Sequence, residues 1–225
     1  MIRRLLIALL VLTTLQISSA FGAVKVSVVH GIPGATVDVY VNGGLLLPNF
    51  QFGTVTPVLP VPAGNYEVKV FAAGANPATS IPVVSLPSTA LADGLNATIV
   101  AHLSAVGAPV LTPFVNDVSA IGGQGNLPPA TTPSTRLAVR HTAQAPTVSV
   151  VANGRVLVTF SNGAEAAADL RTHGYAVWLA LPGTKTPVFG PVNVRPEPGE
   201  LLAVYAVGSI GDGTFTLLTQ SFDLN

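Results

Sequence analysis

Cysteine is absent from the 225 residues. That excludes disulfide staples, cysteine-ligated zinc and a lipid-anchored cysteine. Charge is scarce too. Asp, Glu, Lys and Arg make up 9% of the chain, against about 25% in typical soluble domains. No basic stripe occurs, so no nucleic-acid partner is expected. A chain this poor in charge is expected to carry apolar surface that contacts another protein, a polymer or itself. Aromatics are few, with a single tryptophan, Trp178.

Catalytic signatures are missing as well. No Gly-x-Ser-x-Gly elbow occurs. There is no phosphate-binding Gly-x-x-x-x-Gly-Lys-Ser/Thr loop, and no Gly-x-Gly-x-x-Gly follows a strand. Gly183-Thr184-Lys185-Thr186 reads as a turn. The histidines are His30, His102, His141 and His173, none at ligand spacing from another. Asp212-Gly213 lacks the spaced acids of a calcium loop. Glu197 and Glu200 flank a Pro-Gly turn and read as solvated charges. The expectation is a protein with no catalytic residues, no cofactor and no metal.

The chain opens with a targeting pattern over residues 1–22. Arg3 and Arg4 precede the apolar run Leu5 to Leu15, and Ser18-Ser19-Ala20 offers small residues for cleavage after Ala20 or after Gly22. The run is short of the roughly 20 residues of a membrane span. An exported protein is therefore expected, periplasmic or extracellular, with no stable transmembrane segment after cleavage. Removing Arg3 and Arg4 leaves eight basic residues against ten acidic ones.

The remainder is written twice. Val37-Asp38-Val39-Tyr40-Val41-Asn42-Gly43 returns 111 positions later as Val148-Ser149-Val150-Val151-Ala152-Asn153-Gly154. Alternating valines ended by Asn-Gly predict a β-hairpin, because Asn and Gly tolerate the positive φ of a tight turn. Val24, Val26, Val28 and His30 share one strand face; Leu137, Val139 and His141 repeat it. The strand begun by Tyr66 returns at Tyr175, and Leu201 to Val207 matches Ala97 to Leu103. Pro48-Asn49 is expected to break the chain. No segment keeps a helical period. The fold expected is all-β: two tandem immunoglobulin-like or transthyretin-like antiparallel β-sandwiches. Their bounds are 23–118 and 135–225, joined by a Gly/Pro-rich linker over 119–134. The two are packed together or strung as beads.

Val-Val-His with a Pro-Gly turn, Val-Asp-Val-Tyr-Val-Asn-Gly and Pro-Ala-Gly-Asn-Tyr-Glu-Val-Lys-Val stand in order through residues 24–71. They resemble the bacterial secreted domain-of-unknown-function family 4397. Residues 136–222 look like a diverged second copy. The resemblance implies an exported bacterial β-sandwich and brings no activity with it.

Three residues are candidates for surface binding. Trp178 and Tyr40 are expected to point outward, where they can stack on a sugar or peptide or anchor a partner; packing within the protein is the other reading. Asp38 shares the outer face with Tyr40. His30 and His141 read either as a pH-sensitive or ligand site or as strand-end histidines bonded to a turn. Tyr66 and Tyr175 read as corner tyrosines. The function expected is a non-catalytic envelope, matrix or surface interaction module. Its alternatives are a carbohydrate- or polymer-binding module and a cryptic hydrolase with an interdomain site.

Overall fold

The structure, a computed structural model, describes residues 23–121 and 134–225. The targeting pattern at 1–22 and residues 122–133 of the expected linker lie outside them. No described residue is helical. The first unit holds β1 (Val24–His30), β2 (Thr36–Val41), β3 (Gly44–Gln51), β4 (Leu59–Val61), β5 (Gly64–Ala72), β6 (Val84–Leu91), β7 (Asn96–Leu103) and β8 (Pro109–Val115). The second holds β9 (Ser134–His141), β10 (Val148–Ala152), β11 (Arg155–Phe160), β12 (Glu165–Arg171), β13 (Tyr175–Ala180), β14 (Pro187–Val194), β15 (Glu200–Val207) and β16 (Thr216–Asp223).

Each unit is a sandwich of two four-stranded sheets. The orders are β3-β2-β5-β6 with β4-β1-β7-β8, then β11-β10-β13-β14 with β12-β9-β15-β16. The two units share one topology, so the repeat seen in the sequence is a repeat of the whole fold. The antiparallel expectation holds for every strand pair but two: β1–β7 and β9–β15 are parallel. Parallel neighbours need a long crossover. Here the chain makes that crossover through strands of the opposite sheet and through the edge strand of its own sheet, β4 or β12, before returning.

The repeated Asn-Gly pairs form type I′ turns. Asn42 and Gly43 take φ of 48° and 81°, and Asn153 and Gly154 take 46° and 79°. Asparagine is also a clamp here. Asn42 Oδ1 accepts the Glu67 N–H at 2.8 Å, and Asn153 Oδ1 accepts the Ala176 N–H at 2.9 Å. Corner bonds repeat in the same way. Tyr66 donates its hydroxyl to Pro62 O at 2.7 Å, and Tyr175 donates to Arg171 O at 2.9 Å.

Two local expectations are corrected. Pro48-Asn49 does not break the chain: β3 runs through it, with Asn49 at φ 51° and a register shift against β2. A bulge absorbs the pair. The match of Ala97 to Leu201 is off by one. His30 pairs with Ala101 and His141 with Ala206, so Ala97 corresponds to Leu202. A one-residue slip exchanges strand faces, and Leu201 therefore faces away from its own sandwich core.

That exposed face decides the architecture. Val26, Val28, Val37, Val39, Val68 and Val70 form the first core. Val148, Val150, Phe160 and Leu179 anchor the second. Between them lies a third core, with Val29, Val100 and Phe114 against Ala138, Leu201, Ala203, Tyr205, Val207 and Phe222. The β1/β7 sheet and the β9/β15 sheet pack back to back, and the protein is a stack of four sheets. Every residue of β7 but Leu103 is buried, as expected for a strand covered on both faces.

Candidate functional site

The third core is crossed by a polar seam built around two arginines. Arg136 and Arg140 lie on β9, on the face turned to the first sandwich, and are 1% and 0% exposed. Register explains their first partners. In the β9–β12 ladder Arg136 stands opposite Asp169, and Arg140 opposite Glu165. Arg136 grips Asp169 through both oxygens, Nε to Oδ1 at 2.7 Å and Nη2 to Oδ2 at 3.2 Å. Its Nη1 donates to Asp117 O at 2.8 Å and to Ser119 O at 3.1 Å, in the segment after β8.

Arg140 reaches across to the first sandwich. Nε donates to Glu165 Oε2 at 2.6 Å, Nη1 to the Tyr205 hydroxyl at 2.9 Å and Nη2 to Asn116 Oδ1 at 2.8 Å. Its guanidinium carbon lies 4.9 Å from the Phe114 ring centre and 5.2 Å from that of Tyr205, within cation–π range. Tyr205 in turn meets Thr98 Oγ1 at 3.2 Å, and Ser27 donates to Gln220 Oε1 at 3.0 Å. Burial and hydrogen bonding are thus matched, as a buried charge requires.

A polar cleft of about 570 Å³ opens at one end of this seam, lined by Asn96, Asn116, Asp117, Arg136, Glu165 and Asp169 among others. This is where an interdomain hydrolase would sit. Its acids are engaged: Asp117 lies 3.1 Å from Arg136, Asp169 is gripped as described and Glu165 is held by Arg140. The Asp117 carboxyl is pushed down, first by the Ser119 hydroxyl and also by Arg136. Each of these carboxylates is thus committed to an arginine of the seam. No histidine lines the cleft among its described residues.

Two of the histidines, His30 and His141, serve turns. His30 Nε2 lies 3.2 Å from Ala35 O, and its Nδ1 accepts the Ile32 N–H at 3.3 Å. His141 Nε2 lies 2.9 Å from Pro146 O, while its Nδ1 is the one buried side-chain polar atom without a partner among the described residues. Both rings lie against a phenylalanine, Phe50 and Phe160 respectively. Burial pushes both pKa values down. These are neutral imidazoles that donate to a turn carbonyl. Among the described residues no cluster of three metal-ligating side chains occurs.

The three surface candidates lie on the two outermost sheets, at opposite ends of the stack. Tyr40 pairs across the strands with Lys69, and Trp178 pairs with Val151. Lys69 and Trp178 are equivalent, as are Tyr40 and Val151. The aromatic therefore occupies the same cross-strand pair in both sandwiches, on β2 in one and on β13 in the other. Tyr40 is half-buried, edge-on to Phe71 at 5.4 Å. Trp178 is half-buried and donates its indole N–H to Lys185 O at 2.7 Å. Asp38 is 7% exposed. Its two oxygens accept the N–H groups of Asn49 and Gly74, at 2.8 and 2.9 Å, so its carboxylate fastens the β3 bulge and the turn after β5.

Reading the strands alone left the seam unseen. Arg136 and Arg140 are four apart, as are Glu165 and Asp169, and antiparallel pairing brings like spacing into register. A second signal is the unbroken apolar run Leu201-Leu202-Ala203-Val204-Tyr205-Ala206-Val207, which marks a strand buried on both faces.

No curated protein matches the chain. Residues 24–151 match the family described as Domain of unknown function (DUF4397). The match covers the whole first sandwich and β9, and ends in β10 at Val151. It spans more than half of the 225 residues, and the chain is a member of that family.

Proposed function

We propose that the protein is an exported, non-catalytic module that works by contact in the cell envelope, the extracellular matrix or the cell surface. The observation that carries this reading is the buried arginine seam. It joins two sandwiches into one block and directs their free sheets in opposite directions. With sheets packed about 10 Å apart, the outer faces stand roughly 30 Å from each other, so one molecule can touch two things. The low charge and the targeting pattern support the same reading.

Cross-linking on intact cells that produce the full chain tests it. The chain should be recovered outside the cytoplasm, linked to an envelope component, a polymer or another copy. Replacing Tyr40 and Trp178 together by alanine should lower the linked yield while the chain still unfolds in one cooperative transition. Recovery in the cytoplasm alone, or no linked product at all, removes the reading.

A second reading is a carbohydrate- or polymer-binding module. It is favoured by the aromatic kept at one cross-strand pair in both sandwiches. Retention on immobilised polysaccharides should fall in Trp178→Ala; unchanged retention leaves that reading without a basis.

A further inference from the structure

The core of the first sandwich opens into an apolar pocket at its Asn42 end. An apolar cavity of about 420 Å³ lies between its sheets, running from the Asn42 turn past Val39, Val70 and Ile99 to Val37 and Phe50. The corresponding space in the second sandwich is about 10 Å³. The two spaces are lined by equivalent residues, among them Val39 and Val150, Val68 and Val177, Tyr66 and Tyr175. The same fold is therefore filled in one copy and open in the other.

Side-chain bulk is distributed differently in the two copies. Register aligns Val26 with Leu137, Val61 with Leu170, and Val70 with Leu179. Val84, opposite Val70, aligns with Phe189, opposite Leu179. At these positions the second sandwich carries the larger group, whereas Leu59, Val41 and Ile99 of the lining correspond to Ala168, Ala152 and Val204 in the second sandwich, each smaller. Close packing is the rule in protein interiors, because a void forfeits contacts along its whole lining.

The lining states what would fill it. Asn42 spends its side chain on Glu67 and Asn65, and Tyr66 spends its hydroxyl on Pro62. Among the described residues no other polar side chain and no charged one lines the space. Water would find few partners, and apolar cavities of this kind stay dry. The volume lies in the range of small-molecule sites. Val37 to Val41 alone gives a length of about 13 Å along the strand. A volume of 420 Å³ over that length leaves a cross-section of about 30 Å², the width of one extended hydrocarbon chain. Where the lining reaches solvent, Leu45 and Leu46 are 50% and 44% exposed, an apolar lip beside the Asn42 turn.

We propose that the first sandwich binds one acyl chain between its sheets, with the polar head left at the lip formed by Leu45 and Leu46. The absence of charge in the lining leaves the head unselected, so a free fatty acid and the chain of a membrane lipid share the required chemistry.

A fluorescent polyene fatty acid, added to the purified full chain, tests this. Uptake should saturate at one per molecule. Saturated fatty acids of increasing length should displace it, gaining about fourfold in affinity per added methylene until the cavity is full, and levelling thereafter. Val70→Phe, placed mid-cavity, should abolish uptake. Val26→Leu with Val61→Leu, which copies the second sandwich, should weaken uptake and leave the melting temperature equal or higher, so a folded variant decides even if Val70→Phe does not fold. Incubation with phosphatidylcholine vesicles, followed by lipid analysis of the separated protein, tells the sources apart: lipid on the protein identifies a membrane chain, and uptake of free acid alone identifies fatty acid. Absence of saturable uptake overturns the proposal. So does uptake that ignores chain length, or uptake unchanged in both variants.

Discussion

The Tyr205 hydroxyl meets Thr98 Oγ1 at 3.2 Å, while the same hydroxyl accepts Arg140 Nη1 at 2.9 Å. One phenol thus ties a buried arginine of the second sandwich to a threonine of the first. Tyr205→Phe leaves the Arg140 donor without that acceptor, at a cost of about 1–3 kcal/mol. Arg140→Ala removes the centre of the network and should cost about 3–5 kcal/mol. Urea unfolding followed by tryptophan fluorescence gives both values; a loss below that range in both would mean that the seam contributes little to stability.

Gly31 is fixed by the approach of the second sandwich. A Cβ there would lie 2.8 Å from Val207 Cγ1 and 3.1 Å from Ala101 O. The Gly208 N–H donates to Gly31 O across the seam at 3.2 Å. Gly31→Ala should wedge the sandwiches apart and destabilise by about 1–3 kcal/mol, the usual cost of overpacking. Limited proteolysis should cut near 119–134 faster in the variant. Equal rates of cutting would show that the seam tolerates the added methyl.

Stability should fall on mild acidification. His30, His102 and His141 are buried, and desolvation holds each pKa below the ordinary 6.5. The unfolded chain then takes up protons near pH 6.5 that the folded chain refuses. Stability is full above that value and declines as the pH drops towards the lower folded pKa values. The limiting slope is about 1.4 kcal/mol per pH unit for each histidine. Denaturant midpoints measured on both sides of pH 6.5 should be lower on the acid side; a flat profile contradicts three buried, neutral imidazoles. Tyr205 acts at the other end. Desolvation raises its pKa above 10.0, so its contribution holds below that pH and is lost as the pH rises through the folded value.

Asp38→Asn separates fastening from binding. Asparagine keeps one acceptor oxygen where the carboxylate offers two, so either the Asn49 or the Gly74 N–H loses its partner. Amide exchange at that residue should accelerate, with a stability loss of about 1–3 kcal/mol. Unchanged exchange at both amides would show that the carboxylate does not hold the bulge and the turn.

Much of the fold was legible in the chain. The valine alternation placed the inward faces of β1, β2 and β10, because side chains alternate with period two. Asn42-Gly43 and Asn153-Gly154 set both hairpins, because few residues accept their φ. Tyr66 and Tyr175 were recognisable as corners from the turns before them. The surface candidates were less legible. Trp178 and Tyr40 do face outward, but Asp38 is drawn into contacts made by Asn49 and Gly74, both distant in sequence.

The sequence by itself determined the strands, the turns and the duplication, since each rests on local backbone preference and side-chain period. Tertiary structure alone decided two things. It decided that the copies pack back to back, because the burial of Arg136, Arg140 and Tyr205 depends on partners from both sandwiches. It also decided that the first sandwich holds an apolar pocket of about 420 Å³ where the second holds about 10 Å³, because the space left between two sheets depends on how they settle against each other, which no local pattern records.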